Sequence, residues 1–155
     1  MKGLVVYDTV YGNTKMIAEA IAEQIREEGH EAIVQSAKDG LPDKLDADFA
    51  FLGSPTRMAT MTGPAKKFAK NLGKSAWGDR PLFLFDTIMQ GVLENKGKWG
   101  GTAAEKLNEL AKDLGLNPHS PVIHATVTAM KGPLEKDATV KARAYVKELL
   151  GTLHA

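Results

Sequence analysis

The sequence predicts an α/β protein built on a doubly wound, five-stranded parallel sheet. Three observations predict it. Short apolar runs alternate with helix-length amphipathic segments along the whole chain, and strands joined by helical crossovers must run parallel. The runs Val5-Val6, Phe49-Ala50-Phe51-Leu52 and Leu82-Phe83-Leu84-Phe85 carry almost no polar residue, as strands buried on both faces require. Each run passes into a loop rich in Gly, Pro, Ser or Thr.

The elements follow in order. The first strand is expected over about Gly3 to Asp8. A helix from about Asn13 to Glu28 carries Ile17, Ile21 and Ile25 four residues apart on one face, and Gly29 ends it. The second strand, about Glu31 to Ser36, alternates Ala32 and Val34 with polar neighbours. Lys38 to Ala47, broken by Gly40 and Pro42, reads as a loop or a short weak helix. Phe49 to Gly53 is the third strand. Pro64 opens a short helix to about Leu72, since its missing N–H is no loss in a first turn. The fourth strand runs from about Pro81 to Phe85. A helix from about Thr102 to Leu114 presents Ala103, Leu107, Leu110 and Leu114, with Gly115 after it. The fifth strand is about Pro121 to Thr128. The last helix, about Lys136 to Leu150, aligns Ala142, Val146, Leu149 and, beyond it, Leu153. No repeat or linker interrupts the series, so residues 1–155 read as one domain.

The turn leaving the first strand carries the chemistry. Tyr7-Asp8-Thr9-Val10-Tyr11-Gly12-Asn13-Thr14 brings hydroxyls, an amide and a glycine to a helix start, where free N–H groups and the helix dipole favour an anion. A nucleotide phosphate is the natural occupant. A triphosphate loop needs Gly-Lys-Ser/Thr, whereas the order here is Gly12-Asn13-Thr14-Lys15. A dinucleotide turn needs three glycines and only Gly12 is present. The competing reading is a helix start capped by Thr9 or Asn13. Lys15 reads as a solvated residue of the first turn.

Thr9-x-x-Gly12-x-Thr14 resembles the phosphate loop of the flavodoxin family, with Tyr7 as the aromatic closing the first strand. Ser54-Pro55-Thr56-Arg57-Met58 is similar to the Ser/Thr-Pro-Thr loop under the flavin of flavodoxins and related NAD(P)H:quinone oxidoreductases. Trp99-Gly100-Gly101 looks like the Trp-Gly-Gly of flavodoxin-type domains in flavo-diiron proteins. The resemblance implies strand order 2-1-3-4-5 and bound FMN. By it, Thr9, Tyr11, Asn13 and Thr14 hold the phosphate together with the amides of Val10 and Gly12. Ser54, Pro55, Thr56, Arg57 and Met58 lie along the ring and ribityl chain. Asp86, Thr87, Ile88, Met89 and Gly91 form a third flavin loop, which extends to Trp99. Trp99 either touches the flavin or anchors the core beneath its loop, whereas Trp77 reads as a packing residue of a surface loop. The second loop offers no aromatic, so Met58 or Met89 is expected to replace one ring wall. Ala59 falls near a position where many flavodoxins carry glycine.

The implied function is an electron carrier exchanging electrons with a reductase and an acceptor protein, as a monomer or weak dimer. The alternative is an FMN-dependent NAD(P)H:quinone reductase, which Ser54-Pro55-Thr56-Arg57-Met58 also fits. No side chain is expected to be catalytic, because the cofactor carries the chemistry. Arg57, Lys96, Lys98 and a net charge of +1 imply a less negative potential than in acidic relatives. A phosphorylated receiver domain shares the fold, and Asp8, Thr87 and Lys131 fall near its acid, hydroxyl and lysine. The third strand, however, ends Gly53-Ser54-Pro55, with no aspartate to accept phosphate.

Composition narrows the field. The absence of cysteine excludes thiol nucleophiles, cysteine-held clusters and disulfides. No apolar run nears the roughly 20 residues of a membrane span, and no signal-peptide pattern opens the chain, so the expected location is cytoplasmic. Interleaved charges form no basic block for nucleic acid. His30, His119, His124 and His154 show no metal spacing. None is assigned a role, and His119 and His154 are expected to be exposed.

Overall fold

The structure, a computed structural model, describes residues 1–153; the expectation for His154 lies outside the described residues. Five strands, β1 (Lys2–Tyr7), β2 (Glu31–Ser36), β3 (Phe49–Pro55), β4 (Pro81–Met89) and β5 (Asn117–Val127), form a sheet in the order β2-β1-β3-β4-β5. Every neighbouring pair is parallel, as crossover connections demand.

Alternation along the strands divides the core in two. Val5, Phe49, Phe51, Phe83 and Phe85 face one layer, where α1 (Asn13–Glu27) and α6 (Ala138–Thr152) pack. Leu4, Val6, Ala50, Leu52, Leu82 and Leu84 face the other, covered by α2 (Gly63–Lys74) and α5 (Ala103–Asp113). Ile17, Ile21 and Ile25 of α1 are fully buried, so the isoleucine stripe is the core face. Gly53 lets β3 pass the Phe85 ring, because a Cβ there would lie 2.2 Å from it.

Three differences from the sequence reading matter. β4 continues four residues past Phe85, so Asp86, Thr87, Ile88 and Met89 are strand rather than loop. Their polar members are tolerated because each finds a side-chain partner: Asp86 pairs with His124 on β5 and Thr87 with Thr14 on α1. The third loop, expected to extend to Trp99, folds instead into two short helices, α3 (Gln90–Glu94) and α4 (Lys96–Trp99). β5 starts at Asn117, ahead of Pro121, which an edge strand allows because a proline there costs no ladder bond.

Trp77 packs as expected within its surface turn and is only 1% exposed. Its Nε1 donates to the Arg80 carbonyl at 3.0 Å, and the Arg80 guanidinium lies 4.2 Å over its ring. That guanidinium also donates to the carbonyls of Leu45 and Ala47, which seals the turn over the indole. His119 is half-buried rather than exposed, with its ring 5.2 Å from that of Phe83. Among the described residues, no helix is long and apolar enough to cross a membrane.

Candidate functional site

A cleft of about 680 Å³ opens at the carboxyl edge of β1, β3, β4 and β5, where open parallel sheets bind ligands. Four strand ends contribute to its wall: Val10, Tyr11, Asn13 and Thr14 after β1; Pro55, Thr56, Arg57, Met58 and Ala59 at the end of β3; Thr87, Ile88, Met89, Val92 and Trp99 from β4 onward; and Val127 at the end of β5 with Met130 beyond it.

The turn after β1 is open at the helix start. Gly12 is the N-cap, with φ of +94°, a left-handed conformation that a side chain resists, and no side chain caps α1. The capped-helix reading is thereby overturned. Thr9 Oγ1 accepts the Gly12 N–H at 2.9 Å, so that amide is spent within the turn. The Asn13 side chain donates to the Lys131 carbonyl at 3.1 Å and pins the loop after β5. Thr14 and Thr87 share a 2.7 Å hydroxyl contact between α1 and β4. Among the described residues, the amides of Val10, Tyr11, Asn13, Thr14 and Lys15 find no backbone or side-chain acceptor, and no acid occupies the first turn. A helix start left in that state is an anion site in waiting.

The second loop is a tight hairpin. Arg57 and Thr60 exchange backbone hydrogen bonds of 2.9 and 3.1 Å. Met58 and Ala59 between them have φ of +52° and +67°, the sign pattern of a type I′ turn. That turn presents Met58, 98% exposed, at the mouth. Ser54 lies behind the cleft. Its hydroxyl accepts the Thr62 N–H at 3.0 Å and donates to the Pro55 carbonyl at 2.8 Å, bracing the loop. The Arg57 guanidinium and the Lys131 ammonium each stand 5.9 Å from the Tyr11 ring centre.

Asp86 is also behind the wall, fully buried at the centre of a polar cluster. One oxygen takes the Ala104 N–H at 2.9 Å and the Thr56 hydroxyl at 3.3 Å. The other lies 2.8 Å from His124 Nδ1. Asp86 and His124 are register partners on β4 and β5, which puts their side chains on one face. His124 Nε2 lies 3.6 Å from Glu105, which pairs in turn with Lys96 of α4. Burial pushes the His124 pKa down, but the hydrogen bond and charge of Asp86, aided by Glu105 and opposed by Lys96, leave it raised above the ordinary imidazole value.

Of the residues expected from sequence, the wall gathers Val10, Tyr11, Asn13, Thr14, Pro55, Thr56, Arg57, Met58, Thr87, Ile88, Met89 and Trp99. Trp99 is 58% exposed on the rim and anchors no core. Thr9, Gly12, Ser54, Asp86 and Gly91 stand outside the wall, the first four as its supports. Ala59, Val92, Val127 and Met130 were not anticipated as lining. The last two follow from topology, since the end of β5 shares the edge used by every other loop. No group of three metal-ligating side chains occurs among the described residues.

A doubly wound sheet with an uncapped, acid-free helix start at its carboxyl edge defines a mononucleotide-binding domain. The sequence model described as "Flavodoxin domain" matches residues 4–127, and the chain belongs to the flavodoxin family, whose members bind FMN. It is 35% identical over 102 residues to a flavodoxin of Aquifex aeolicus, covering 64% of this chain and 52% of that one. It is 31% identical over 110 residues to a flavodoxin-like domain-containing protein of Clostridioides difficile, covering 71% and 58%. The chain thus spans little more than half the length of these relatives. A solved flavodoxin from the domain Archaea superposes over all of both chains, with a TM-score of 0.80 at 24% identity.

Proposed function

We propose that this chain is a single FMN-binding domain that carries electrons between protein partners, a reductase and an acceptor, in the cytoplasm. The observation that carries the reading is the uncapped start of α1, held open by left-handed Gly12 beside a cleft of about 680 Å³. Neutral donors gather at one end of that cleft and apolar walls at the other, which suits a phosphate attached to a planar ring.

The residues fit the group. The free amides of Val10, Tyr11, Asn13, Thr14 and Lys15 would hold the phosphate, in a turn that the Thr9 hydroxyl shapes by holding the Gly12 N–H. Pro55, Thr56, Met58, Met89 and Trp99 would bound the ring, and Arg57 sets a positive charge at its edge. Bound FMN supplies the electron exchange; the chain supplies binding, orientation and a fixed field. Nothing in this reading calls for nucleic acid or a membrane, and the protein acts as a monomer or weak dimer.

Calorimetric titration of the flavin-free protein tests it. FMN is expected to bind with one-to-one stoichiometry and to give a protein with two flavin absorption bands; riboflavin is expected to bind more weakly by the phosphate's share. A colourless protein that ignores FMN sinks the proposal. Rapid NADPH oxidation with a soluble quinone and no protein reductase would reassign it as a quinone reductase.

A further inference from the structure

We infer that His124 is a positioning residue for the cleft: it joins β4, the second loop and the α4 segment behind the wall, and it completes that junction only as an imidazolium, which couples ligand affinity to its proton. The inference rests on the FMN reading and adds a regulating group that the sequence had left without a role.

The geometry is a relay of named contacts. His124 Nδ1 reaches Asp86 at 2.8 Å, and its Nε2 faces Glu105 at 3.6 Å. Asp86 holds the Thr56 hydroxyl and the Ala104 amide with its other oxygen. Thr56 Oγ1 accepts the Ala103 N–H at 3.0 Å and lines the cleft. Glu105 pairs with Lys96, three residues before the rim residue Trp99. One ring thus stands between two carboxylates, each governing a different piece of the wall.

A neutral imidazole has a single N–H. Placed on Nδ1, it serves Asp86 and turns a lone pair toward Glu105. Placed on Nε2, it turns that lone pair against a buried carboxylate. Only the protonated ring both donates to Asp86 and turns a positively charged edge toward Glu105. The charged groups facing it are Asp86 from β4, Glu105 from α5 and Lys96 from α4, so two anions outweigh one cation. The raised pKa of His124 agrees in direction.

Coupling is reciprocal: if the proton on His124 holds the wall for FMN, FMN must hold the proton by the same factor. We expect the FMN dissociation constant to rise about tenfold as pH passes through the His124 titration, matched by an upward shift of about one pKa unit on binding. The experiment follows the imidazole Cε1–H resonances of flavin-free and FMN-loaded protein across pH 5 to 9, with His124 assigned through His124→Gln, alongside flavin affinity over the same range. The FMN phosphate itself titrates near pH ~6, so riboflavin, which lacks it, is run in parallel.

The wild type is expected to lose riboflavin affinity with rising pH, while His124→Gln is flat with riboflavin and His119→Gln keeps the wild-type profile. Asp86→Asn, a second and milder probe, is expected to lower the His124 pKa and abolish the coupling. An unchanged His124 pKa on FMN binding, with pH-independent riboflavin affinity, overturns this inference alone. A protein that takes up no flavin at any pH overturns the FMN reading and this inference with it.

Discussion

Ala59 occupies a backbone conformation that only glycine adopts without penalty, with φ of +67° next to Met58 at +52°. A non-glycine residue in the left-handed region costs roughly 1–2 kcal/mol, and such strain concentrates at functional sites. Ala59→Gly should relieve most of it, less the roughly 0.5–1 kcal/mol that glycine's extra freedom in the unfolded chain takes back. The expected outcome is a gain of about 0.5–1 kcal/mol, or a melting temperature raised by ~1–4 °C, with FMN affinity read in the same preparation; a lowered melting temperature would show that the Cβ of Ala59 has a packing role. Arg57 makes a second prediction at this scale. Among the described residues it is the one charged side chain in the cleft wall, and a reduced flavin carries negative charge. Arg57→Ala should move the potential of the bound flavin to more negative values by roughly 20–40 mV, the equivalent of ~0.5–1 kcal/mol for an exposed charge near the ring. A potentiometric titration giving an equal or higher potential would remove Arg57 from the account. Individual residues were the least legible level of the sequence. Thr9 and Gly12 belong to the right turn, yet they act by shaping it. Ser54 and Asp86, which look like ligands in a loop motif, prove to be buttresses because each side chain finds its partners behind the wall.

At the scale of elements, the junction of β4, β5 and α5 decides how the cleft is held. Thr102 caps α5 by accepting the Glu105 N–H at 3.2 Å. The sequence Thr102-Ala103-Ala104-Glu105 has the spacing of a capping box, in which the glutamate would return to the cap amide. Here the Glu105 carboxylate instead turns to Lys96 and His124, so a helix-start motif is partly diverted to fastening α4. The pH dependence of stability follows with a definite sign. His124 is raised above its ordinary value of 6.5, so the folded state holds the proton more tightly than the unfolded one. Its stabilisation is therefore fully present below pH 6.5 and is lost as pH rises through the folded-state value. Urea midpoints measured from pH 5.5 to 8.5 should fall across that window in the wild type and vary less in His124→Gln. Parallel curves for the two proteins would show that the imidazole stays uncharged. This junction was hidden in the sequence because Asp86 and His124 are 38 residues apart. Only the β4–β5 register makes them neighbours, and reading β4 as ending at Phe85 removed that register from view.

For the molecule as a whole, the fold was legible because both of its determinants are periodic: apolar runs for strands buried on two faces and a four-residue stripe for helices. Ile17, Ile21 and Ile25 could be placed without any long-range information, and so could the alternation that makes the sheet parallel. The site was legible to the extent that it is local. The β1 turn and Ser54-Pro55-Thr56-Arg57-Met58 are contiguous strings at strand ends, whereas Met130 reaches the cleft only through the sheet order, beside the Lys131 carbonyl that Asn13 holds. That division has a thermodynamic consequence. The core on both faces is complete without a ligand, so the flavin-free protein should fold. The amides at the start of α1 and the open apolar walls are the parts that a ligand completes. FMN binding to the folded state alone should add ~2.7 kcal/mol at one hundred times its dissociation constant. For a domain of 155 residues that corresponds to a rise of about 5–10 °C in melting temperature. Riboflavin at the same concentration should give a smaller rise, since the free amides after β1 then bind nothing. Scanning fluorimetry with each ligand makes the comparison directly. Equal shifts for the two flavins would place the binding energy on the ring walls and leave the β1 turn without its assigned anion.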